Sequence, residues 1–522
     1  MAGALAGALR SLLVRRRPPL KSLLALLCLS VFGIMLPWFY LSSAATVSGL
    51  ALANPASGAK HTGDHVDAWH APVKWEVNSL DKVLNSEGVY GFIFNSSDTP
   101  DSDYGTYNYC NMPHVRAKEY IRPSKEYELQ YVELIHRHHK RTPYADNSFP
   151  VESYQWNCND QALYLYGQPL QGHDAAHGYR KGYISDVNPF TQSGWVGSCQ
   201  FPQITPGGLQ DSWQHGADLF GVYHGLLGFL PDNLTPKVRY RATNNVITHQ
   251  VAGMVINGMW GITNDVPLNV QAVNVDSLEP QYSCPAASIL FNAIKSKSNS
   301  EWQRHLDEAQ DIYATLDDIS GVPSDDSGFH VSFDHYFDNL SSRQCHDKPL
   351  PCKLVNGKNS STCVTQELAD TVYRLGHWEY SQMYRDNDTT LAASTGAYGV
   401  WVAELAVNLR AVIEGNRDVL YTHNIAHDGS VSRVLSLLQI DEMVWPGMGS
   451  EVVFELYKKG DGPGTQQTGS GFYVRVLFGG QVLKSSSPAL GAIDMIPAGK
   501  LLDYFDSLVG NRASLIKAKC NA

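Results

Sequence analysis

Apolar residues recur along the chain with three different rhythms. Val402, Leu405, Ala406, Leu409, Val412 and Ile413 follow the i, i+3, i+4, i+7 spacing of an amphipathic helix, and Gly415 stops it. Val246 to Met259 also reads as a helix, with Val246, Gln250, Gly253 and Met254 along one side. Leu129–Ile135, Val419–Ala426, Val452–Tyr457 and Phe472–Leu483 are short apolar runs that predict strands, the last broken by a Gly479-Gly480 turn. Ser430–Leu438 and Ala498–Leu508 return to helical spacing. The third rhythm is a nearly unbroken apolar run, Leu23 to Leu41.

Between these elements the pattern weakens. Residues 54–125 are rich in Gly, Ser, Asp and His and read as a stalk or wrapping segment, with His61, His65 and His70 as solvated linker residues. Residues 144–235 are irregular, and 284–385 mix two short helical patterns with a loop holding Cys345, Cys352 and Cys363. Both stretches look inserted into a unit spanning 126–522. The sum is an α/β chain: a central sheet flanked by helices, with a more helical inserted cap.

Leu23–Leu41 sits at the lower end of what spans a bilayer, and a short basic segment, residues 1–22, precedes it. Arg15, Arg16, Arg17 and Lys21 before the run keep the N-terminus cytosolic and send the rest of the chain out. An uncleaved signal anchor and a signal peptide cut near Ala51-Leu52-Ala53 both remain open. Eight cysteines follow the run (Cys110, Cys158, Cys199, Cys284, Cys345, Cys352, Cys363 and Cys520), and their even count suits up to four disulfides of open pairing. Sequons at Asn95, Asn233, Asn339, Asn359 and Asn387 fit a secretory route and N-glycans. The expected location is the secretory pathway, as an extracellular protein or a single-pass membrane protein with its main domain outside.

Net charge is −11, and the five basic groups of residues 1–53 stand against no acid there. The remainder therefore carries 35 basic and 51 acidic residues, which argues against nucleic acid as a partner. No paired C-x2–4-C motif calls for zinc, and neither a G-x-S-x-G elbow nor a phosphate-binding G-x-x-x-x-G-K-[ST] loop occurs.

Two predicted strands each run straight into a polar loop. The first loop is Arg137-His138-His139-Lys140-Arg141-Thr142-Pro143, and the second is His427-Asp428-Gly429. In open α/β sheets ligands bind beyond the carboxyl ends of strands, so the two loops are expected to share one crevice. Arg137 and Arg141 offer planar donors for phosphoryl oxygens, and a neutral imidazole between them is a nucleophile for phosphorus. His427 adds a donor. Asp428 adds a carboxyl group that a phosphate dianion can convert to an acid. The plainer alternatives are a surface basic cluster at 136–139, a helix cap at 427–428, a packed His423 and a solvated Lys140.

These loops resemble those of the histidine acid phosphatases, the second branch of the histidine phosphatase superfamily, whose pattern is R-H-G-x-R-x-P with a distal H-D or H-A-E. Arg137, His138, Arg141 and Pro143 match the first motif and His427-Asp428 the second, over roughly residues 125 to 510. The resemblance implies a phosphoglycerate-mutase-like sheet and an exported phosphatase for a phosphorylated small molecule or glycan. His138 would be the nucleophile, Arg137, Arg141 and His427 the phosphate ligands, and Asp428 the proton donor, with no metal or other cofactor. Two positions depart from it. His139 stands where the family has Gly, and Ile247 aligns with the usual third clamp arginine. Arg239 or Arg241, or else His139 and Lys140, are the candidate substitutes. The competing expectation is a catalytically weakened relative acting as a surface binding glycoprotein.

Overall fold

A computed structural model describes residues 66–521 apart from 74–75, 92–93, 95–99, 152–153, 159–163, 166–170, 173–175, 177, 180–182, 184, 186, 191–195 and 461–470. The basic segment, the apolar run, His61, His65, Cys28 and the Asn95 sequon lie outside the described residues.

The centre is an eight-stranded mixed sheet. Numbered along the chain, its strands are β1 (Tyr127–Arg137), β2 (Val238–Ala242), β3 (Leu268–Asn269), β4 (Tyr421–Ala426), β5 (Glu451–Lys459), β6 (Phe472–Phe478), β7 (Gln481–Val482) and β8 (Ile496–Pro497). The order is β7-β6-β5-β1-β4-β2-β3, with β8 beside β6. β1, β4, β2 and β3 run parallel, while β5 lies antiparallel to β1. The last seven residues of β1 are all buried, as expected of a strand covered on both faces.

Strand alternation sorts β1 between two apolar cores. Val132 and Leu134 face the one built with α1 (Pro206–Phe220) and α2 (Val246–Trp260). Tyr131 and Ile135 face the other, built with α6 (Thr390–Ile413), α7 (Asp428–Leu437) and α8 (Ala498–Val509). The long helix α6 has the length and hydropathy of a membrane span, yet its Val402, Leu405 and Leu409 are buried in that core.

Several sequence expectations shift. The helix over 246–259 forms, but its buried stripe is Ile247, Val251 and Val255, and Gly253 is exposed. The stretch 144–235 contains α1, capped by the Thr205 hydroxyl and packed on the sheet, which its three glycines and low apolar density concealed. Residues 284–385 hold more helix than expected, including α3 (Pro285–Ile294), α4 (Asp334–Gln344) and α5 (Gln366–Ser381). The segment before β1 is woven into the main body, since Asn108, Tyr109 and Cys110 are fully buried.

Disulfides join Cys110–Cys345, Cys158–Cys199, Cys284–Cys520 and Cys352–Cys363. The Asn339 sequon is corrected by its surroundings. Its side chain is 1% exposed, donates to the Asn147 carbonyl and accepts from Arg343, so the folded chain has no room there for a glycan.

Candidate active site

The parallel pairing of β1 with β4 sets Arg137 opposite Ala426, so the loops that leave these strands start side by side. The His138 amide donates to the Ala426 carbonyl at 3.0 Å, and the imidazoles of His138 and His427 lie with centroids 5.4 Å apart. β2 ends beside them, where Thr243 Oγ1 is 3.0 Å from His427 Nε2. The turn entering β5 completes the rim, because the Pro446 carbonyl accepts from Arg137 at 2.7 Å. Residues nearly 300 apart in sequence thus meet at one end of the sheet.

His138 is 1% exposed, and its Nδ1 lies 2.8 Å from the His139 carbonyl. A carbonyl only accepts, so Nδ1 carries the proton and Nε2 keeps its lone pair. Burial, then the cationic Arg141 and Arg137, hold the imidazole well below its ordinary pKa and hence neutral. Arg137 is paired with Asp428 at 3.0 Å, and Arg141 with Asp338 of α4 at 2.9 Å. The Nε atoms of both arginines have no hydrogen-bond partner among the described residues. Asp428 also accepts from the Trp445 indole at 2.8 Å. Its burial favours the neutral acid, but Arg137, the Trp445 N–H, His427 and Arg141 outweigh that and bring its pKa down to about 2. Asp428 opens α7 and accepts from the Gly429 amide at 2.8 Å, while the N-cap residue His427 makes no side-chain capping bond.

The two departures from the motif have local explanations. The His139 ring turns into the sheet–α1 layer, where its Nε2 is 3.1 Å from His215 Nδ1. It fits because position 449 is glycine: a Cβ there would come within 2.4 Å of the ring, and φ is +72°. Ile247 sits in the first turn of α2 with its side chain fully buried in the apolar core. Arg241, the candidate substitute clamp, is paired with Glu404 at 2.8 Å and Asp276 at 3.2 Å. Arg239 is an exposed residue of β2. Lys140 is not solvated: it is 3% exposed and paired with the buried Asp211 at 3.0 Å. A Cβ at Gly208 would lie 2.0 Å from the Lys140 carbonyl, so glycine lets α1 approach this loop. His423 is packed, with Nδ1 3.0 Å from the Tyr421 hydroxyl.

Three contributors lie outside the two motif loops. Glu279 lies 3.2 Å from His427 Nε2, Asp338 holds Arg141, and Trp445 holds Asp428. Glu279 and Asp338 stand in segments with no motif at all. Behind the 137–143 loop, His136, His139 and His215 bring ring nitrogens within 4.8 Å of one another, an arrangement able to hold a metal.

No protein-family model and no curated protein matches this chain. Solved structures with a similar arrangement include Hafnia alvei phytase bound to tartrate, at 13% identity and TM-score 0.47, over 75% of this chain and 99% of that one. Others are the phytase from D. castellii, at 14% identity and TM-score 0.43 over 84% and 94%, and Bifidobacterium longum multiple inositol polyphosphate phosphatase with inositol hexasulfate, at 11% and 0.42 over 72% and 92%.

Proposed function

We propose that this chain is a histidine-type phosphatase that hydrolyses phosphate monoesters through a phosphohistidine at His138. The observation that carries the reading is the tautomer of His138: Nδ1–H is committed to the His139 carbonyl, leaving Nε2 neutral and nucleophilic between two arginines.

In the first step the phosphoryl oxygens take donors from Arg137, Arg141 and His427, and Nε2 forms a bond to phosphorus as the ester P–O bond breaks. The departing alkoxide takes a proton from Asp428. Resting Asp428 is ionised, and the arriving dianion draws Arg137 away from it and raises its proton affinity, so the substrate brings about protonation of its own acid. In the second step Asp428, again a carboxylate, accepts a proton from water as the water oxygen attacks phosphorus. The P–N bond breaks, phosphate leaves and His138 is neutral again. The chemistry fits a phosphorylated small molecule or a phosphorylated glycan, and the four disulfides support an exported enzyme.

A second reading rests on the cation inventory. Ile247 is apolar, Arg241 and Lys140 are tied to carboxylates, and Glu279 faces His427 with negative charge. That set favours a slower enzyme or a binding glycoprotein. Hydrolysis of p-nitrophenyl phosphate and of a phosphosugar by residues 54–522, beside His138→Ala, separates the two. Turnover abolished in the variant supports the phosphatase; no turnover by the folded parent overturns it.

A further inference from the structure

We propose that His136, His139 and His215 form a binding site for one zinc-class divalent metal ion, buried directly behind the nucleophile loop. The elements converge for simple reasons. His136 is on the face of β1 that Val132 and Leu134 also occupy, opposite α1, which carries His215. His139 is the first turn of chain beyond the strand, and Gly449 leaves it room. All three side chains are fully buried.

The outer partners prepare each ring. His136 Nδ1 lies 2.8 Å from the Arg137 carbonyl, so its proton is there and Nε2 is a lone pair. His215 Nε2 lies 3.0 Å from Glu451, a carboxylate–histidine pair that leaves Nδ1 as the lone pair. Such second-ring contacts to a carbonyl or carboxylate are the usual support of metal-ligating histidines. His139 Nε2 and His215 Nδ1 are 3.1 Å apart. Zinc–nitrogen bonds of about 2.0–2.1 Å place neighbouring tetrahedral donors about 3.3 Å apart, a match for this pair, and His136 completes a set whose ligand nitrogens all lie within 4.8 Å of one another.

Without an ion the same cluster is poorly satisfied. His139 must spend its one proton on His215, which leaves His139 Nδ1 and His136 Nε2 buried with no partner. An ion at the cluster accepts the lone pairs of His136 Nε2, His215 Nδ1 and His139 Nε2, and the His139 proton then sits on Nδ1. Three imidazoles without a first-sphere carboxylate select zinc or a late first-row ion over magnesium or calcium. The glycine-to-histidine departure at 139 thereby acquires a use independent of the chemistry at His138.

The full chain should be purified in mild detergent without a histidine tag or metal column, and the metal content measured after exhaustive dialysis. We expect close to one zinc per chain, and, after exchange into cobalt(II), visible absorption bands of low-coordinate nitrogen ligation. His215→Gln and His136→Gln, checked for folding by circular dichroism, should each lose the ion and the bands. Chelation should lower the parent's Tm by several degrees and leave the variants' Tm unmoved. A folded parent that retains no zinc and gives no cobalt bands overturns the proposal. So does a zinc content that is the same in the folded variants.

Discussion

Replacing Asp428 by asparagine isolates the proton that the proposed mechanism moves. The resting carboxylate is held by Arg137 at 3.0 Å and by the Trp445 indole at 2.8 Å, and its pKa lies at about 2 against an ordinary 3.8. That displacement is worth about 2.5 kcal/mol in favour of the ionised form, and about 1–2 kcal/mol after discounting for a side chain that is 23% exposed. At pH 5 the resting site therefore holds almost no acid. A phosphoryl charge about 4 Å away, at an effective dielectric of about 20, opposes ionisation by about 4 kcal/mol, which exceeds the depression it must overcome. That raises the carboxyl pKa to about 5, so binding of a phosphate analogue such as vanadate at pH 5 should take up about half a proton per site, read by calorimetry in buffers of different ionisation enthalpy. Asp428→Asn should abolish that uptake. The variant should form phosphohistidine about 10²–10⁴-fold more slowly from an alkyl phosphate, and lose far less with p-nitrophenyl phosphate, whose leaving group needs little protonation. Equal losses for the two substrates, or unchanged proton uptake, would exclude Asp428 as the proton donor.

Other consequences follow from particular contacts. Cutting the buried Lys140–Asp211 pair by Lys140→Met strands a carboxylate, and urea unfolding should show a loss of about 3–5 kcal/mol. Replacing Cys110 and Cys345 with alanine opens a loop of 235 residues and should cost about 2–5 kcal/mol by the same assay. Burial holds His377 neutral, with its pKa pushed down to about 3. The unfolded chain therefore binds the extra proton below pH 6.5, and stability falls as pH falls towards 3. Between pH 6.5 and 4.5 this amounts to about 2–3 kcal/mol, and His377→Gln should flatten that part of the stability profile. Ile247→Arg sets a charge into a full apolar core, so Tm should drop with no gain in turnover. A gain would mean that the first turn of α2 faces the phosphate after all.

How much of this was legible depends on the range of the signals. β1, β4, α6 and the two motif loops announce themselves through local periodicity and short residue strings, and the shared crevice follows from strand-end logic. α1 stayed hidden because its burial rests on glycines that press against Lys140 and Val255, and a glycine contributes nothing to an apolar pattern. The stripe of α2 was misplaced by about one position, since Thr248 and Ala252 take part in the buried face while Met254 does not. Glu279, Asp338 and His215 reach the site only through the tertiary fold. Lys140 looked like a surface charge, because no local feature reveals that Asp211 waits beneath it. Asn339 shows the reverse error: a sequon is three letters long, and burial is not written in them.

The central claim is a covalent bond between phosphorus and His138. Rapid quenching of residues 54–522 during turnover of a phosphomonoester at pH 5, followed by peptide mass spectrometry under conditions that preserve phosphohistidine, tests it most directly. The account predicts an 80-dalton adduct (the mass of HPO3) on His138 that accumulates in Asp428→Asn with a good leaving group and is missing from His138→Ala. Turnover that persists in His138→Ala, or an adduct on any other residue, would contradict it.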